Sequence, residues 1–137
     1  MKRLCLYHDQ MLSIMADGEQ IIYRFADQPD LATLNSRRQT MVQVLTSYQM
    51  FVHRELFEPL LANGSASQIS QVKLIKAECV ALVEAFRAFF REWMGDAVVR
   101  QWDIYKQAAR GMMDRIKRHI AEVRQITMLE PASRSGA

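Results

Sequence analysis

Residues 48–64 read YQMFVHRELFEPLLANG, and the face of this stretch that turns inward decides what the chain can build. Tyr48, Val52 and Leu56 recur every four residues, which is one face of a helix. His53 stands one residue off that face, rotated by about 100°. Glu55 and Glu58 also lie off it. The visible His-Glu cluster is therefore expected at the flank or surface, as a solvated polar face. The helix then stops. Asn63-Gly64 is a stop signal, and Ser65 or Ser67 can cap a new helix.

Working outward, the same three-four spacing marks three more blocks. The first carries Leu4, His8, Met11, Met15, Gly18, Ile22 and Phe25 and ends at ADQPD, where Pro29 blocks a helix and Asp30 can cap the next. The second runs through Leu34, Met41, Leu45, Tyr48, Val52 and Leu56. The third carries Val72, Ile75, Cys79, Leu82, Phe86, Phe89 and Trp93 and ends near Met94-Gly95-Asp96. The fourth carries Tyr105, Ala109, Met112, Ile116, His119, Val123 and Ile126. Residues 97–102 are either a separate short turn or the start of that last block. Four amphipathic helices with short links predict an all-α, antiparallel up-down-up-down four-helix bundle.

Composition agrees. Of the 137 residues half are hydrophobic, enough for a real core, and only five Gly and three Pro interrupt the chain. Residues 1–131 read as one domain and 132–137 as a flexible polar tail. The net charge is +3, with no Lys/Arg block and no aromatic-basic interleaving. No nucleic-acid partner is expected. No window is apolar enough to cross a membrane. Two cysteines are too few for a disulfide scaffold or a four-cysteine zinc site. A reduced, cytoplasmic protein without a signal peptide is expected.

The informative polar residues lie on the stripes. Each block places one unusual residue inside: His8, Tyr48, Cys79 and His119. In an antiparallel bundle, residues equally far from a connecting loop share a level, so these four are expected to converge on one layer. Bundles build metal and cofactor sites this way. Without a metal, the two imidazoles should be hydrogen-bonded, through the Tyr48 hydroxyl or a buried water, with Val52, Val83 and Val123 packed nearby. No Ser-His-Asp layout, inward carboxylate pair or glycine loop points to an enzyme.

These residues resemble the hemerythrin-like, or HHE cation-binding, family. YHDQML is similar to the family's first helix, ELFEPLLANG to the end of its second, AECVALVEAF to its third, and RIKRHIAEVRQITMLEP to its fourth. The resemblance implies a bundle holding two irons with histidines and carboxylates. His8 and His119 keep family histidines. Tyr48 stands where the second helix should carry a His, and Val52 where it should carry a bridging carboxylate. Cys79 and Val83 replace ligands of the third helix, and Val123 and Arg124 stand at the carboxylate of the fourth. His53 matches no ligand position. The expectation is a lost di-iron site, no cofactor, and a regulatory or protein-interaction module with an unidentified protein partner. The alternative is a redox or oxygen sensor or carrier keeping one metal, iron or zinc, through His8, Cys79 and His119.

Overall fold

A computed structural model describes residues 2–24 and 30–135, with side chains described over 2–23 and 30–127. Among these residues the chain is all-helical, with no strand. The elements in order are α1 (Lys2–Arg24), α2 (Leu31–Val52), a π-helical turn (His53–Phe57), α3 (Glu58–Asn63), α4 (Ala66–Glu92), α5 (Ala97–Arg100) and α6 (Trp102–Ser135). Phe25, read as the last stripe position of the first block, and Pro29, expected to end it, lie outside the described residues. Side chains are described only to residue 127, short of the expected tail at 132–137, and the last two residues of that tail lie outside the described residues altogether. No described helix is long and apolar enough to cross a membrane.

Local chemistry sets the helix ends. Asp30 caps α2, accepting from the Thr33 backbone N–H at 3.2 Å and from the Thr33 hydroxyl at 2.8 Å. Ser65 and Gln68 form a reciprocal capping box at the start of α4. Gly64 precedes it with φ −78°, ordinary extended backbone. Glycine is needed there for space, because a Cβ would stand 2.5 Å from the Leu60 carbonyl oxygen. Past the end of α4, Gly95 does adopt a left-handed φ of 67°.

One feature has no periodic signature. Between α2 and α3 the helix widens into a π turn. Pro59 follows directly and has no N–H to give to the carbonyl four residues back, so the preceding turn reorganises instead of breaking.

The long helices touch in a closed ring: α1 on α2, α2 on α4, α4 on α6, and α6 back on α1. Cross-links fix their register. Asp17 of α1 pairs with Arg37 of α2, and Arg87 of α4 donates to the Thr46 hydroxyl of α2. Arg115 of α6 donates to Glu78 of α4, while Glu19 and Asp9 of α1 pair with Lys117 and Arg124 of α6. Half-exposed ion pairs of this kind contribute little stability, so the stripes carry the fold. Every read position of the second and third blocks is buried. In the fourth, Met113 is buried and Met112 only half so. A cluster of Phe89, Trp93, Trp102 and Tyr105 closes one end, with ring centroids 5.4–5.7 Å from that of Tyr105.

Candidate functional site

His8 of α1, Tyr48 of α2, Cys79 of α4 and His119 of α6 are all buried. Three of them are joined. The Tyr48 hydroxyl lies 3.2 Å from His8 Nε2 and 2.9 Å from His119 Nε2. Tyr7 packs edge-on against Tyr48 and fills the space beside the layer with Phe51. Val52, Val83 and Val123 are buried in the same core. Cys79 is close enough to Tyr48 to act on it electrostatically. Among the described residues, no group of three or more His, Cys, Asp or Glu side chains is arranged to hold a metal ion.

A phenol hydroxyl has one proton, so it donates to one imidazole and accepts from the other. His119 Nδ1 is buried without a partner. An unpaired lone pair is better tolerated there than an unpaired N–H. The network therefore assigns the His119 proton to Nε2, from which it is donated to Tyr48, and Tyr48 donates to His8 Nε2. Burial sets the charge states. Desolvation, followed by the positive Arg124 and the neighbouring His119, lowers the His8 pKa to about 4. Desolvation lowers His119 to about 4 as well, against the opposing pull of Glu78. The Tyr48 phenol is pushed well above its ordinary value by burial and by Cys79, and burial and then Glu78 push the Cys79 thiol up to about 12. At neutral pH the layer is an uncharged hydrogen-bonded chain.

His53 was expected at the flank or surface, and it sits at the flank: it is half-buried, its ring lies 5.1 Å from Phe57, and its Nε2 is buried without a partner, so it is not on a solvated face. It is the first residue of the π turn. Burial, and then Lys76, lower its pKa, and it in turn acts on His119. Glu55 and Glu58 are exposed, as read from the sequence.

Arg38 was missed. It is only 5 % exposed. It donates from Nη1 to the Trp93 carbonyl at 2.8 Å and from Nη2 to Asn35 Oδ1, and its guanidinium lies over the Tyr105 and Phe90 rings. It thereby caps the C-terminus of α4 from α2. The signal was present: Leu34, Arg38, Met41 and Leu45 keep three-four spacing, and the stripe as read skipped its charged member.

Comparison of the chain with family models, curated proteins and solved structures finds no match in any of the three.

Proposed function

We propose that the four long helices form an antiparallel up-down-up-down bundle of the hemerythrin-like kind, whose di-iron site has given way to a hydrogen-bonded core, and that the protein acts as a non-enzymatic regulatory or interaction module. The ring of contacts supports the bundle, as do cross-links in which rising positions on one helix meet falling positions on the next. One observation carries the functional reading: a single phenol oxygen occupies Nε2 of both His8 and His119. Those are the atoms that a metal between the helices would need. Around them stand Val52, Val83 and Val123, which offer no donor, and Arg124, which brings positive charge to His8. Two irons require carboxylates and several free imidazoles, and this set does not fit them. A core locked in this way has no reacting group to present, which leaves the surface to act through a protein partner.

A second reading, a sensor or carrier with one iron or zinc held by His8, Cys79 and His119, draws on the unpaired His119 Nδ1. It requires the Tyr48 bridge to open. Metal analysis of freshly purified protein with an absorption spectrum separates the two. The interaction module predicts no stoichiometric metal. One zinc or iron per chain selects the second reading, and two irons with an oxo-bridge band overturn the first.

A further inference from the structure

A second feature, a half-open pocket, lies toward the α1–α2 connection, away from the histidine layer. All four long helices line a cavity of about 50 Å3 there. Its walls are mainly apolar and include Met15, Met41, Met112 and Met113, flexible side chains that reshape around what they enclose, while Arg37 at its rim is already paired with Asp17. A water needs about 10–15 Å3 on this scale, so the space admits roughly three or four non-hydrogen atoms before the walls move. Gly18 leaves further room on α1, since a Cβ there would meet nothing within 4 Å.

Arg38 also lines this cavity. Its capping of α4 uses Nη1, Nη2 is taken by Asn35 of α2, and Nε is buried without a partner. No carboxylate among the described residues forms an ion pair with it. The aromatic faces and the Trp93 carbonyl offset part of its charge. A buried cation is otherwise paired with an anion. A mainly apolar pocket whose wall carries a guanidinium without a carboxylate partner among the described residues is complementary to a small molecule with one anionic end and an alkyl remainder.

We propose that this cavity binds a short straight-chain monocarboxylate, its carboxylate pairing with Arg38 and its alkyl chain lying among the methionines. The inference is independent of the reading of the histidine layer. The pairing neutralises the guanidinium, and the chain fills space that protein atoms leave empty. Occupancy ties all four helices together, so the acid is placed to control the bundle's surface from within.

The test uses the full chain with acetate, propionate, butyrate and hexanoate, and with 1-butanol as the uncharged comparison. Both tryptophans of the chain, Trp93 and Trp102, stack on or abut Tyr105, which lines the cavity, so their fluorescence reports binding. Butyrate should give a saturable change and bind at least tenfold more tightly than 1-butanol. Arg38→Gln should remove that preference. Ala109→Leu, which fills the chamber, should abolish binding of both compounds, and it decides the question if Arg38→Gln does not fold. No saturable response to any acid overturns the proposal, as does equal affinity for acid and alcohol, or binding unchanged by Ala109→Leu.

Discussion

The Tyr48 hydroxyl stands 2.9 Å from His119 Nε2, while Nδ1 of the same ring is buried without a partner. This pairing fixes the direction of the whole chain of hydrogen bonds. It predicts His119 protonated on Nε2 and His8 on Nδ1 at pH 7. Nitrogen-15 chemical shifts of the imidazoles report the two tautomers directly, and the opposite assignment would reverse the donor order through Tyr48.

The same layer makes the fold acid-sensitive. His8 and His119 have folded pKa values of about 4, below the unfolded value of 6.5. Between these values the unfolded chain binds protons that the native chain refuses. Stability is therefore full above pH 6.5 and falls as the pH drops toward 4. At 1.36 kcal/mol per pH unit the loss is roughly 3 kcal/mol for each histidine. Urea midpoints measured between pH 7.5 and 4.5 should fall steeply, and a flat profile would show that the imidazoles are already charged or solvated.

Removing the hydroxyl alone tests the bridge. Tyr48→Phe keeps the ring and its packing against Tyr7 but leaves both Nε2 atoms without a partner. A loss of roughly 2–6 kcal/mol is expected, from two buried polar groups at about 1–3 kcal/mol each. A change below about 0.5 kcal/mol would mean that the two histidines find other partners.

Arg38→Met should destabilise the protein by roughly 2–4 kcal/mol, although the new side chain is a good helix former and fits an apolar surround. The reason is the Trp93 carbonyl, which loses its donor at the end of α4. Arg38→Lys keeps the charge without the planar fork and should fall in between. Chemical denaturation of the three proteins gives the order.

Restoring donors tests the proposed ancestry. Tyr48→His, Val52→Glu, Cys79→His, Val83→His and Val123→Glu together should recover iron binding, measured as stoichiometry and as a thermal midpoint with and without iron. Position 123 is preferred to 124 for the carboxylate, since Val123 is fully buried while Arg124 is exposed and pairs with Asp9. Without iron the set should be less stable than the parent, because two carboxylates share one core. If neither this set nor its Arg124→Glu counterpart binds iron, the correspondence of positions fails.

The sequence by itself determined the helices and their inward faces. Three-four periodicity is a local property of the chain, and burying each apolar stripe is the largest favourable term, so Leu34 through Leu56 and Val72 through Trp93 turn inward as read. Asp30 and Ser65 were legible because a cap needs only its own next three residues. Only the tertiary structure decided which polar atoms meet. The bridge from His8 through Tyr48 to His119 spans 40 and 71 positions, and its distances depend on how three helices slide past one another. The tautomers and depressed pKa values follow from that meeting and from burial, neither of which is a property of one helix. Arg38 shows the limit from the other side. Its place on a stripe was visible, but what makes a buried guanidinium tolerable is the carbonyl end of another helix and two rings from elsewhere in the chain. His53 shows it again. Its place off the inward stripe was legible, but the π turn that it opens was not, because a regular period of 3.6 has no room for an extra residue.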